Sequence, residues 1–335
     1  MKKLLLLFLL VNSFLFANFS LKERILKSSP GDYTLFLQGK TVSLLLIREQ
    51  TDNLLLIEEI SAPEYQLKNK NLSEWVQKGA PGHTSWILYE IDLQKNELLE
   101  SFSHSRNAWL LMNEEEHFLA RLLSLKLTPV SYEDRKKIGP PPRDGERDHR
   151  SVWSPPLIIE GKRNPKPKAL VYSTIWPKDH SPLANKKIDL YFSPDEKYPL
   201  PFWIQLSSGM GSTFAKALNM GKNLSSPSPK AVPRRYPEFT TGVERDEGGY
   251  YIEVKCPKYF QDFELVALTP NNQTITIPFS TLKNSKEHLE LSLDLKELSE
   301  GLTYQMMLLP KKNPEYFAEL KNSFTKTPAK SLQSF

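Results

Sequence analysis

The sequence predicts a mainly β chain with α elements, of the α+β class: a curved antiparallel sheet, or half barrel, with covering helices, followed by a small β-sandwich. Three observations predict it. Residues 186–208, KKIDLYFSPDEKYPLPFWIQLSS, alternate with period two on both sides of a proline-bounded turn. Ile188, Leu190 and Phe192 oppose Asp189 and Tyr191, and Phe202, Ile204 and Leu206 oppose Trp203, Gln205 and Ser207. Residues 44–47 and 54–57 are unbroken apolar runs inside strand-length segments, so both faces of those strands require cover. After residue 235, short strand patterns recur with turns between them, the spacing of a two-sheet sandwich.

With 335 residues, 39% hydrophobic and 25% charged, the chain has the composition of a globular protein and the length for two domains. A net charge of +5 is too small an excess for a nucleic-acid footprint, and nucleic acid is excluded as a partner. Lys2 and Lys3, the apolar run 4–11 and Ala17 follow the order of a secretory signal, residues 1–17, cleaved after Ala17. Leu15 is large for that junction, which leaves an uncleaved anchor as the alternative. Export combined with a single cysteine, Cys256, forbids an internal disulfide and suits a bacterial periplasm. Cys256 itself reads as a buried small hydrophobe.

In chain order, Ser20 and Glu23 form a capping box for a short helix stopped by Pro30 and Gly31. Residues 41–50 and 53–63 make a hairpin, a helical turn spans 71–78, and residues 86–93 and 98–105 make a second hairpin. Asn113 is the expected N-cap of an amphipathic helix to Leu125, with Glu114–Glu116 matched to its dipole. Residues 139–168 hold scattered prolines among basic and acidic side chains. They read as a lid or contact for an anionic partner, or as a solvated insertion. A strand at 169–176 leads into the hairpin at 186–208, and residues 212–220 read as a short helix ended by Gly221. Together residues 18–222 form the sheet domain, 223–235 a linker, 236–312 the sandwich, and 313–335 a terminal helix, near residues 314–324, with a loose tail.

No chemical template fits. SSGMGS at 207–212 lacks the glycine offsets of a nucleophile elbow or a dinucleotide loop. The six histidines, His83, His104, His117, His149, His180 and His288, are widely spaced and read as solvated, with no metal-ligand spacing. The adjacent pairs Asp148–His149 and Asp179–His180 cannot alone build a triad, because the aspartate and the nucleophile must approach opposite ring nitrogens. The expectation is therefore no enzyme, no catalytic residue, no cofactor and no metal. What remains is an aromatic excess on sheet faces: Trp86, Tyr89, Phe102, Trp109, Tyr172, Trp176, Phe192, Phe202 and Trp203. These read as the lining of a hydrophobic ligand cavity or as plain core.

Two resemblances sharpen the expectation. LSEGLTY at 298–304 resembles the tyrosine corner of fibronectin type III domains, which implies that Tyr304 turns its hydroxyl onto upstream backbone. The exported start, the opening helix, the hairpins at 41–63 and 86–103, the helix between strand sets and LYFSPDEKYPLPFWI resemble the periplasmic lipoprotein-carrier family, the LolA and LolB half barrels. That resemblance implies a non-enzymatic carrier or sensor of a lipid or acyl chain, with peripheral membrane contact. The alternative is an envelope adaptor whose fibronectin-like module binds a protein partner, and the remotest is an envelope hydrolase.

Overall fold

The computed structural model describes residues 21–110, 117–206, 213–257, 260, 262–285, 287–312 and 316–327. The chain divides into two units, Met1–Val232 and Pro233–Phe335. It is mostly strand, 43% against 8% helix, and this corrects the expected α+β class with covering helices. The three α-helices among the described residues, α1 (Leu21–Leu26), α2 (Leu72–Gln77) and α3 (Phe118–Ser124), have six or seven residues each. Such helices are too short to cover a broad sheet, and loops carry much of that task.

The strands of the first unit are β1 (Tyr33–Gln38), β2 (Thr41–Gln50), β3 (Leu54–Pro63), β4 (Ser85–Asp92), β5 (Glu97–Ser103), β6 (Ala108–Trp109) and β7 (Thr128–Pro129). Then come β8 (Leu157–Ile159), β9 (Lys162–Asn164), β10 (Leu170–Ile175), β11 (Lys187–Phe192), β12 (Trp203–Leu206) and β13 (Thr213–Gly221). They form one 13-stranded sheet with the path β6-β5-β4-β3-β2-β1-β13-β12-β11-β10-β7, and β8 and β9 branch from β13. The path is a meander on each side of one seam, β1 against β13.

That seam corrects the helix expected at 212–220. Phe214 to Met220 holds good helix formers, but β13 is hydrogen-bonded to β1 on one side and β12 on the other, and the completed ladders outweigh a propensity of a few tenths of a kcal/mol per residue. Two register shifts, opposite Leu35/Phe36 and opposite Ile204/Gln205, break its period of two. Bulges of this kind also bend a strand.

Period two sorts the rest of the sheet into two faces. Phe36, Ile47, Leu55, Ile57, Tyr89, Ile91, Ile188, Leu190, Phe192 and Ile204 share one core with Ile25 of α1 and with Leu119 and Leu122 of α3. Leu35, Val42, Leu44, Leu46, Ile60 and Trp86 face the other way, onto Trp75 and Val76 of α2. Both faces of the apolar runs are thus covered, each large side chain contributing about 1.5–3 kcal/mol of burial.

Long-range polar contacts fix the edges. Arg24 of α1 donates to the carbonyls of Ser193 (3.0 Å), Asp195 (3.1 Å) and Tyr198 (2.8 Å), and so pins the β11–β12 turn. On the outer face the buried pair Arg48–Glu58 (2.6 Å) holds residues 226–228. Arg48 donates to the Ser228 carbonyl at 2.9 Å, and Ser226 donates to Glu58 at 3.0 Å. Ser228 and the indole of Trp86 also donate to Glu58. Residues 226–228 are therefore docked on the sheet, where the sequence reads as a linker.

The proline-rich segment 139–168 is not structureless. It carries the β8–β9 hairpin, and Trp153 stands edge-on to Tyr191 and Trp203 at 5.6 and 5.5 Å. The second aromatic face of the β11–β12 hairpin is thus covered by the chain itself. Asn113 and Glu114–Glu116 lie outside the described residues, as do residues 1–20 and 207–212. The described helix α3 is capped by His117.

The second unit has the strands β14 (Glu238–Phe239), β15 (Glu244–Asp246), β16 (Gly249–Lys255), β17 (Phe263–Leu268), β18 (Thr274–Thr276), β19 (Phe279–Ser285), β20 (His288–Leu293), β21 (Thr303–Pro310), β22 (Ala318–Glu319) and β23 (Phe324–Thr325). Two five-stranded sheets, β14-β16-β20-β19 with β15 and β18-β17-β21-β22 with β23, share a core that includes Ile252, Leu265, Leu291 and Met306. The Tyr304 hydroxyl accepts from the Ser299 N–H at 2.8 Å and donates to the Ser299 carbonyl at 3.4 Å. The terminal helix expected near 314–324 is absent from its described part. Ala318 and Phe324 there pair with β21 in β22 and β23, so the tail is used as sheet.

Candidate functional site

The strongest candidate is a cavity of about 320 Å³ on the inner face of the large sheet. Its floor is Phe36 and Gln38 of β1, Ser43 and Leu45 of β2, Ile57 and Glu59 of β3 and Tyr89 of β4, with Ile204 of β12 and Ala215 of β13. Its roof is His117, Phe118 and Leu119 at the start of α3, with Trp176, Ser181, Pro182 and Leu183 from the β10–β11 connection. Strands β4 and β12 are five steps apart in the sheet order, roughly 24 Å if the layer were flat. That both line one cavity of this size means the sheet curls around it.

The roof is a packed unit. Phe118 and Trp176 stack with ring centres 5.6 Å apart and 7° between planes. The Trp176 indole donates to Asp179 at 2.7 Å, which fixes the connection above the cavity. The His117 Nδ1 accepts the Ala120 N–H at 3.2 Å as the helix cap. That bond leaves the ring proton on Nε2, and burial lowers the His117 pKa to about 4, so the imidazole is neutral at ordinary pH. Its ring lies 4.1 Å from the Tyr89 ring.

The polar part of the floor is centred on Glu59. The Ser61 hydroxyl donates to one carboxyl oxygen at 3.2 Å and the Tyr89 hydroxyl to the other at 3.3 Å, while Ser43 and Ser61 share a hydrogen bond of 2.7 Å. Burial holds the Glu59 carboxyl above the usual carboxylate range, with the hydroxyl contacts pulling the other way. Burial, with Glu59 beside it, also pushes the Tyr89 hydroxyl far up.

Of the aromatic residues singled out in the sequence, Tyr89 and Trp176 line this cavity. Phe192 and Phe202 are buried in the inner core, and Tyr172 packs edge-on to Phe192 at 5.9 Å. Trp86 and Phe102 are buried on the outer side of the sheet, and Trp109, 39% exposed, packs edge-on to Phe102. Trp203 faces Trp153. Sequence reasoning missed Phe36, Ser43, Glu59 and His117. Glu59 had a signal: Glu58 and Glu59 are adjacent in an apolar strand, so period two sends one of them to each buried face. His117, expected in solvent, is buried.

The remaining chemical candidates are accounted for. Asp148 pairs with Lys137 at 2.8 Å and Arg150 at 2.9 Å, and Asp179 is held by Trp176 and Ser181. Among the described residues no group of His, Cys, Asp and Glu is arranged to hold a metal ion. Cys256 is buried, with burial pushing its thiol up to about 12, and it donates to the Phe260 carbonyl at 3.1 Å. No described helix is long and apolar enough to cross a membrane. A larger groove of about 750 Å³ between Tyr65, Lys68 and Ile158 lies on the outer side and has no buried carboxyl.

Fold and site together define a mostly β chain with a partly polar, mainly apolar cavity inside a curled sheet. Residues 43–164 match the family model described as CT021 protein. The chain is also similar to a structure solved at 2.0 Å of the hypothetical protein CT021 from Chlamydia trachomatis, with 25% identity, 65% of this chain and 98% of that chain covered, and a TM-score of 0.47. No curated protein matches the chain.

Proposed function

We propose that the first unit is a non-enzymatic carrier or sensor that shelters a hydrophobic ligand, an acyl chain or a group of similar shape, in the cavity between the curled sheet and α3. The observation that carries this reading is the cavity itself: about 320 Å³, walled by Phe36, Leu45, Ile57, Phe118 and Leu183, with few polar groups. Affinity would come from apolar burial, on the order of 0.8 kcal/mol per methylene sheltered. The volume suits a short chain, or one end of a long one, better than a whole diacyl lipid. Release would require the roof, α3 and residues 176–183, to lift. Segment 139–168 packs Trp153 on the opposite face and is a poor candidate for that motion. The secretory character of residues 1–17 and the lipoprotein-carrier resemblance favour work in a bacterial periplasm. Native mass spectrometry of the protein isolated from its own cell envelope should find a bound apolar small molecule. Its persistent absence, together with no uptake of a fluorescent fatty-acid probe, would refute the reading.

One observation favours a second role, in the other unit. Strand β19 is an edge of its sheet among the described residues, and Leu282 on it is 57% exposed. An edge strand of this kind is a template for an added strand, which suits an adaptor that binds a protein segment. Crosslinking in the cell envelope that recovers a partner through β19 would support it, and protection of β19 only by copies of the same chain would not.

A further inference from the structure

We propose that the cavity selects hydrophobic ligands that carry a basic amine, with Glu59 as the counter-ion. The inference rests on the cavity being a ligand site, as argued above, and adds the chemical class of the ligand.

Glu59 lines the cavity from the inner face of β3, and each of its carboxyl oxygens faces a hydroxyl donor, Ser61 at 3.2 Å and Tyr89 at 3.3 Å. Donors on both oxygens favour the ionised carboxylate. Yet among the described residues the cavity lining contains no lysine or arginine. The undescribed segments 111–116 and 207–212, LMNEEE and SSGMGS, contain none either.

Two cations on the elements that form the cavity are committed elsewhere. Arg48 pairs with Glu58 on the opposite face of β3, and Arg121 of α3 lies 3.8 Å from Asp179. His117 cannot supply the charge, because its Nδ1 is already the acceptor for the Ala120 N–H and protonation there would break the cap. Burial also holds that ring neutral.

A carboxylate buried without a counter-charge is costly, and a ligand that brings the charge removes that cost. An alkylamine would place an ammonium against Glu59 in a charge-assisted hydrogen bond, about twice as strong as a neutral one. An alcohol of the same length would gain only the neutral bond. A carboxylate head would set a second anion beside Glu59 with no cation to offset either. Burial raises the pKa of Glu59 in the empty cavity, so acidification would protonate it and shrink the advantage of the amine.

Octylamine, octanol and octanoate, compared by calorimetric titration of the full chain near neutral pH, test this. Octylamine should bind at least tenfold more tightly than octanol, and octanoate most weakly. In Glu59→Gln the ratio of amine to alcohol affinity should fall to about one. Should that variant fail to fold, the ranking in the wild-type protein and its loss on acidification decide the matter alone. Equal affinity for amine and alcohol, or a preference for octanoate, would overturn the amine inference and leave the apolar site standing. Binding of none of the three would remove the site and the inference together.

Discussion

Glu59 and His117 both touch Tyr89, one through its hydroxyl and the other through its ring, and burial in the cavity wall disfavours the charged form of each. Their effects on stability run in opposite directions. The unfolded His117 takes a proton below its ordinary value of 6.5, whereas the native ring does so only near 4. Between those values the unfolded state binds more protons, so stability falls as pH drops through that window, by on the order of 3 kcal/mol in total. For Glu59, with its native pKa raised, the native state is the one that holds the proton, and stability falls as pH rises above 4.5. Replacing His117 by asparagine keeps a capping acceptor and removes the titration. Urea unfolding from pH 7 down to 4 should show the wild-type protein losing stability relative to His117→Asn. Parallel curves would mean that the ring is solvated.

At the scale of elements, β13 is the piece on which the inner face depends. It joins the β1–β6 meander to the β12–β10 side, and the N–H of Ala217 donates to the Phe202 carbonyl at 2.8 Å. Ala217→Pro deletes that donor on the β12 side of β13, inside the sheet, where proline is not tolerated. It should abolish the near-ultraviolet circular dichroism of the first unit's tryptophans. A folded first unit with Ala217→Pro would mean that the continuity of β13 contributes little.

The hairpins β2–β3, β4–β5 and β11–β12 were legible because strand-length apolar segments, alternating with period two in β11–β12, and the polar or proline-bounded turns between them mark them directly in the sequence. β13 was not, because two bulges scramble its alternation and Ala, Lys, Leu and Met carry helix propensity that only its two neighbours overrule. The cavity was half legible. Tyr89 and Trp176 stand out as aromatics, but nothing local distinguishes them from Phe192 or Phe202, which fill the core. Only the register of β3 says which of Glu58 and Glu59 meets Arg48 and which lines the cavity.

At the scale of the molecule, each unit has its own core, and the single thiol reports on the second. Cys256 lies in the core of Ile252, Leu265 and Met306, buried and with its pKa raised. A thiol reagent should leave it unmodified in the native chain, and a thiolate fraction this small makes that protection strong. In Ala217→Pro it should remain protected, since the lesion lies in the other unit. Rapid labelling of Cys256 in that variant would instead show that the two units unfold as one.

The ligand cavity is the claim from which the functional reading follows, and filling it is the most direct test. Leu45 lines the floor and is only partly buried, so Leu45→Trp adds bulk where there is room. Titration of a neutral fluorescent apolar probe should give saturable uptake by the wild-type chain and at least tenfold weaker uptake by Leu45→Trp, with its unfolding midpoint unchanged or raised. Equal uptake by both proteins, or none by the wild type, would contradict the account.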